Sequence, residues 1–295
     1  MRKTRLDAAF QAAVAAIDAG DVDALERLLA AHPELARERL TAPGSWLRDQ
    51  IGGALEDFFK APYLLWFVAE DPKRNGTLPR NIAEIAGAII RSAHARSVDS
   101  LQQQLDYALS LVCWSGVASD AGVQIALIDV LLDAGASPIG ASDNALVNGH
   151  FAAAKHLVKK GAPLTLSTAL CLGRLDEVPA LMKVTSQRDL QTAFVLAALN
   201  GQADALQCMI DLGTDVNRSS QDLYNHATPL HHAVCSGSLE SVRVLVDAGA
   251  RLDVRDSAEQ ATPLGWAEYY AGENANDVRG AQFAQIADFL RMKQT

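Results

Sequence analysis

The residues best able to do chemistry in this chain fall close together, at His226, His231, His232 and Cys235. Imidazole and thiolate together are the ligands of a zinc site, and a cysteine beside a histidine is a pairing that activates a nucleophile. The spacing does not encode the convergence that either role needs. His232 sits one residue round a helix from His231, and Cys235 a full turn further on. No G-x-S-x-G, phosphate loop or H-E-x-x-H occurs anywhere in the chain. The expectation is no metal, no cofactor and no enzymatic activity.

The four cysteines, Cys113, Cys171, Cys208 and Cys235, are far apart, and none forms a C-x-x-C pair. Each falls in a helical pattern, where free cysteine behaves as a small buried hydrophobe. That usage fits a reducing compartment, and a cytoplasmic location is expected. The net charge is −9 with no cluster of Lys or Arg, which argues against a nucleic-acid backbone as ligand. No apolar run is long enough to span a membrane. The opening MRKTRLDAAFQAAVAAIDAGD has the basic head of a secretory signal, but Asp7, Gln11 and Asp18 interrupt its apolar stretch, so no cleavage is expected.

The elements that carry the histidines are easiest to read over residues 227–256. Thr228 can cap a helix, and Pro229 suits a first turn that needs no N–H. Leu230, Ala233 and Val234 make one helical stripe, which Gly237 ends. Leu239, Val242, Leu245 and Val246 make a second, which Gly249 ends. Two such helices leave apolar faces open, so the unit must stack on copies of itself. The copies are visible as glycine pairs: Gly201 and Gly213 repeat the spacing of Gly237 and Gly249, as do Gly149 and Gly161, while Gly20, Gly122 with Gly135, and Gly173 mark looser versions.

The run Thr228-Pro229-Leu230-His231-His232-Ala233 resembles the helix-opening signature of the ankyrin repeat. The resemblance implies an all-α, ankyrin-like solenoid of about seven or eight helix-turn-helix repeats with some β-hairpin fingers. One domain over residues 1–295 is expected: an N-terminal repeat at 6–39, an inserted helix at 40–61, divergent repeats at 62–143, repeats at 144–260 and a capping repeat at 261–295. Ser45 is the expected cap of the inserted helix, whose apolar positions are Leu47, Ile51, Leu55, Phe58 and Phe59. That helix packs on the array or docks a partner. Residues 62–69 read as a divergent opening helix with Trp66 where histidine would stand. The short intervals from Gly149 to Gly173 to Gly201 predict bare connections in the middle. The longer interval from Gly201 to Gly237 predicts fingers at 217–226 and 254–260.

The resemblance also implies where a partner would bind: on finger tips and on the two residues before each helix-ending glycine. Those positions are Trp114 and Ser115, Val147 and Asn148, Cys171 and Leu172, Leu199 and Asn200, and Cys235 and Ser236, with Tyr269 and Tyr270 as the equivalents in the last repeat, where Ala271 stands in place of the glycine. Finger candidates are Tyr224 and Asn225, with Arg218 and Glu259. Trp and Tyr are the commonest binding anchors, although large aromatics also fill solenoid cores. His231 is expected to hydrogen-bond between repeats. Asp18, Glu70 and Asp71 would make one end of the groove acidic, or lie on a solvated face. The expected function is a non-catalytic, monomeric scaffold that binds another protein on its concave face. The alternatives are an inhibitor or immunity-type protein that neutralises a basic enzyme or toxin, and an enzyme with a pocket beside Trp66, Trp114 or the histidines.

Overall fold

The computed structural model describes residues 2–294, so Met1 and Thr295, the two ends of the expected range, lie outside it. Every regular element among the described residues is helical. The chain divides into two compact units, Met1–Pro163 and Leu164–Thr295.

The first unit contains α1 (Arg2–Ala19), α2 (Val22–Ala31), α3 (Ser45–Glu56), α4 (Ile82–His94), α5 (Leu101–Trp114), α6 (Gly116–Asp120), α7 (Gln124–Asp133), α8 (Ala141–Val147) and α9 (Phe151–Lys159). Two rows run through it. In one, α1 packs on the 3₁₀ turn Leu64–Ala69, that turn on α5, and α5 on α8. In the other, α2 packs on α4, α4 on α7, and α7 on α9. Each row position pairs across: α1 with α2, the turn with α4, α5 with α7, α8 with α9. This is the stacking that the apolar stripes demand, with Phe10, Ile17, Leu25, Ile85, Leu109 and Leu127 almost wholly buried between layers. Each such Leu, Ile or Phe contributes about 1.5–3 kcal/mol.

The divergent segment at 62–69 is a short 3₁₀ stretch of about two turns, Leu64–Ala69, and not an α-helix. All six residues of Leu64–Ala69 are buried, Trp66 included. Glu70, in the left-handed region at φ 51°, then breaks the helical path. Its Oε1 accepts the N–H of Arg74 at 2.8 Å and of Gly76 at 3.0 Å, and also that of Asn75. Its other oxygen lies 2.7 Å from the Arg74 guanidinium, which also meets Asp18 at 2.8 Å. The expected acidic groove end is therefore corrected. Glu70 is only 2% exposed and is spent on folding its own loop, and Asp18 shares its arginine. Asp71 is half-buried, and burial pushes its carboxyl up to about 6.

The inserted helix α3 is capped differently from the sequence expectation. Gly44, not Ser45, holds the cap position, and its N–H is taken by Asp7 Oδ1 at 2.8 Å. Trp46 Nε1 donates to the same oxygen at 2.8 Å and its ring stacks on Phe67, 6.4 Å between centroids. Leu47, Ile51 and Phe59 are buried, so α3 docks on the core of its own unit. Leu55 is only half-buried and Phe58 is exposed, which removes both from the expected core set.

The second unit contains α10 (Leu166–Cys171), α11 (Val178–Val184), α12 (Gln187–Leu199), α13 (Ala203–Asp211), α14 (Pro229–Ser236), α15 (Leu239–Asp247), α16 (Pro263–Glu273) and α17 (Val278–Gln294). One row is α10, α12, α14, α16; beside it α13 packs on α15 and α15 on α17. The first row begins each helix on a hydroxyl: Thr165, Ser186 and Thr262 accept the N–H three residues on, and Thr228 holds the matching position. Such a cap contributes about 1 kcal/mol. Phe194, Leu206, Leu230, Leu245, Phe283 and Leu290 are buried between the layers.

The glycine register is reproduced in the backbone. Gly149, Gly201 and Gly237 have φ of 71°, 65° and 76°, while their downstream partners Gly161, Gly213 and Gly249 have 101°, 90° and 90°. At Gly201 space is also decisive, because an added Cβ would lie 2.9 Å from Ser238 Cβ in the next layer. The middle connections are bare as expected, with only Thr185 and Ser186 between α11 and α12. The fingers are not hairpins. Among the described residues there is no strand. In 217–226 the backbone N–H groups of Asp222 and Leu223 turn inward to Ser220 Oγ, and Tyr224 has φ 46°. In 254–260 they turn inward to Asp256. Side-chain acceptors have taken the donors that a hairpin ladder would use.

Candidate functional site

The second unit carries an open cleft of about 550 Å³ lined by His226, Asp256, Glu259, Trp266, Tyr269 and Tyr270, with Ala258, Ala261 and Gly265 between them. The residues come from the 254–260 finger, the end of the preceding finger and the first turns of α16. The floor is built first. Asp256 is 1% exposed. Its Oδ1 accepts the N–H of Ala258 at 2.9 Å and of Glu259 at 2.7 Å, and its Oδ2 accepts Ala261 N–H and Trp266 Nε1–H, each at 3.0 Å. Burial opposes charge on this carboxyl, but these donors outweigh it and hold the pKa down at about 2. One buried carboxylate thus folds the finger and fixes the indole of α16.

The histidines complete the frame. His231 is fully buried. Its Nδ1 receives the Thr228 backbone N–H at 3.3 Å and lies 2.8 Å from the Thr228 hydroxyl. That leaves Nε2 as the protonated nitrogen, which donates to Ala261 O at 3.1 Å, across to the next repeat. The inter-repeat hydrogen bond that the resemblance implied is therefore present. Burial lowers the His231 pKa and drives that of His232 down to about 4, so both rings are neutral. His232 Nε2 donates to Tyr224 O at 3.3 Å. His226 packs against Trp266 at 6.0 Å and His232 at 6.2 Å, and its carbonyl accepts Ser257 N–H at 2.8 Å, tying the two fingers together. Among the described residues no set of His, Cys, Asp or Glu converges as metal ligands.

The aromatic walls stand at steep angles. Trp266 and Tyr270 are 6.2 Å apart at 87°, and Tyr269 and Tyr270 are 5.5 Å apart at 66°. Tyr270 is backed by Phe283 at 5.1 Å, and its hydroxyl accepts Cys235 Sγ–H at 3.6 Å. Burial pushes the Tyr270 phenol well above its ordinary range. Tyr269 is 62% exposed.

The sequence candidates fall into groups. Tyr269 and Tyr270 line the cleft, and Cys235 touches it only through its thiol on the Tyr270 hydroxyl. Tyr224 meets His226 edge-on at 6.3 Å and His232 tilted at 5.8 Å, with Asn225 exposed beside it. Leu199 and Asn200 sit at the end of α12, half-buried, with Asn200 Nδ2 returned to its own helix at Leu196 O. Ser236 Oγ donates to Ala233 O, so this hydroxyl proton is already used. In the first unit, Trp114 and Val147 are half-buried and Asn148 is exposed, its amide donating to Trp114 O at 2.8 Å. Cys171 and Ser115 are buried and do not offer a surface. A second cleft, of about 390 Å³, adjoins Trp66, but that indole is 3% exposed and donates to Gln104 O at 3.2 Å. Sequence reasoning passed over Asp256 and used Trp266 only as a repeat marker. The available signal was an aspartate opening a short polar turn just before Ala-Thr-Pro, the usual role of Asp in such turns.

Residues 144–256 match the family model described as ankyrin repeats, in three copies. The chain is 36% identical over 86 residues to Inversin of Danio rerio, which covers 28% of this chain and 8% of Inversin. It is 30% identical over 132 residues to cyclin-dependent kinase inhibitor 2A of Homo sapiens, covering 41% of this chain and 83% of that protein. Among solved structures, the human ASB11 ankyrin repeat domain aligns at 19% identity and a TM-score of 0.34, over 69% of this chain and 94% of that one. The chain thus spans far less than two thirds of Inversin, the first of these relatives.

Proposed function

Since the chain belongs to the ankyrin repeat family, a family of protein-interaction modules, we propose that it is a non-catalytic scaffold that binds another protein on its concave face, through the finger tips and helix ends of its second unit. The observation that carries this reading is the cleft of Trp266, Tyr269 and Tyr270, which puts an exposed tyrosine and two partly buried rings beside a rigid finger. Aromatic side chains in a preformed recess are what binding hot spots are made of. Leu199, Asn200, Cys235 and Ser236 extend the surface along the same row, and Tyr224 and Asn225 extend it along the finger. Trp114, Val147 and Asn148 are proposed as a separate contact set on the first unit. The titratable groups of the cleft support binding over catalysis, because Asp256 has both oxygens committed to donors and His231 and His232 are buried and neutral. The proposed scaffold is monomeric and cytoplasmic and uses no cofactor.

The test is capture from a lysate of the native host with the wild type, Tyr269→Ala and Trp114→Ala, each checked by circular dichroism. A protein held by the wild type and released by Tyr269→Ala, with the fold unchanged, is the expected result. Capture indifferent to both substitutions would remove the proposed surface.

A second reading has one specific observation behind it. The relative covered most fully, at 83%, is by its name an inhibitor of a kinase, and this chain carries a net charge of −9. An inhibitor that covers a basic face of an enzyme would bind more weakly as salt rises. Affinity for the captured partner that is flat with ionic strength rules this version out.

A further inference from the structure

We propose that the cleft of the second unit receives a cationic side chain from a basic segment of the partner, held between the faces of Trp266, Tyr269 and Tyr270 with Asp256 and Glu259 as its counter-charges. The proposal rests on the protein-interaction reading and adds the chemistry of the contact.

Three observations lead to it. The first is wall geometry. Trp266 stands at 87° to Tyr270, and Tyr269 at 66°. All three rings line one recess, Tyr269 is 62% exposed there, and a cation is the occupant that an accessible aromatic face attracts. The second is charge. Asp256 lies in the floor, 1% exposed, and all its hydrogen bonds come from neutral donors. Among the described residues no Lys or Arg forms an ion pair with it. Glu259, at the rim, is exposed and likewise makes no ion pair there. The negative charge of the recess therefore has no ion-pair partner, and that of Asp256 acts from a buried floor where Coulomb attraction is screened little. The third is that the cations nearby are occupied elsewhere. Arg255 gives Nη1 to Gln260 O at 2.6 Å, and Arg279 lies over Phe283, 5.7 Å from its centroid. Neither lines the cleft.

The same features reject other occupants. A phosphate or carboxylate would face Asp256 and Glu259 with no cation to offset them. A purely apolar side chain would fill the volume but strip water from Glu259 and leave the floor charge of Asp256 unopposed. Arginine fits better than lysine, because a planar guanidinium stacks on a ring and also offers several N–H donors to a carboxylate.

The test uses the full chain and a defined probe. The peptide acetyl-Gly-Arg-Gly-amide is titrated while the indole N–H resonance of Trp266 is followed by NMR, the resonance being identified by its loss in Trp266→Phe. The matched peptide with citrulline in place of arginine has nearly the same shape and no charge. A saturable shift with the arginine peptide, and binding about tenfold weaker for citrulline, is expected. Tyr269→Leu keeps apolar surface but removes one of the three π faces, and should weaken the preference; Tyr269→Phe should keep it. Equal binding of the two peptides, or no movement of Trp266 with either, overturns the proposal. The two readings fail separately. Capture that depends on Tyr269 without any preference for arginine sinks only this inference. A preference for arginine without any Tyr269-dependent capture sinks only the scaffold reading.

Discussion

Replacing Asp256 by asparagine changes a single atom type and tests whether one carboxylate organises the finger and the cleft. The carboxylate has two acceptor oxygens, one serving Ala258 and Glu259 N–H and the other Ala261 N–H and Trp266 Nε1–H. Asparagine keeps one oxygen and turns an NH₂ group toward whichever donor pair loses its acceptor. The native pKa of about 2, against 3.8 for an ordinary aspartate, corresponds to about 2.5 kcal/mol in favour of the charged form in the folded state. Asp256→Asn should therefore destabilise the second unit by about 2–3 kcal/mol at pH 7. The sign of the pH dependence follows from a carboxylate whose pKa is depressed by folding. Its contribution is complete above about pH 4 and is lost as the pH falls toward 2, about half of it being gone at pH 3. Urea unfolding followed by near-ultraviolet dichroism, run on both proteins at pH 7 and pH 3, reads the difference directly. Equal urea midpoints at pH 7 would refute the reasoning, and so would a gap that stays constant between the two pH values.

Three further outcomes are expected. Glu70→Ala strands three backbone N–H groups and leaves the Arg74 guanidinium, 2% exposed, with Asp18 alone; the first unit should lose about 3–5 kcal/mol in chemical denaturation. Gly201→Ala should cost clearly more than Gly213→Ala, by about 1 kcal/mol or more in paired melts, because both have positive φ but only Gly201 also meets Ser238 Cβ at 2.9 Å. His232 has a pKa lowered by burial to about 4, so its unfolded form binds the extra proton; stability should be full above about pH 6.5 and fall by about 3 kcal/mol as the pH drops to 4, a slope that His232→Leu should flatten in a series of melts across that range.

Much of the fold was legible because it is written in local signals. Thr228, Pro229 and Gly237 fix both ends of α14, and the glycine pairs give the register of the layers, as their shared φ values show. The turn Leu64–Ala69 was placed in the right row but read as a longer helix, because the break is made by Glu70 accepting amides several residues ahead, which no stripe reveals. The missing hairpins have the same cause: Ser220 and Asp256 take the donors that a strand pair would use. Of the cleft, Tyr269 and Tyr270 could be placed by their register with Cys235 and Ser236 of the preceding repeat, although Ala271 replaces the glycine. Asp256 could not, since its importance lies in four donors brought from two different segments.

In the second unit, α12 touches α14, α14 touches α16, and α13, α15 and α17 follow the same order. Contacts of that kind join stretches close in sequence, so the chain loses little entropy in finding them and assembly is quick. It can also begin at any layer and spread like a closing zip. Among the described residues, α16 packs on α14 and α17 on α15, and the two pack most heavily on each other. The aromatic recess joins α16 to the finger before it, so a ligand seated there would clasp that layer together and slow its local opening.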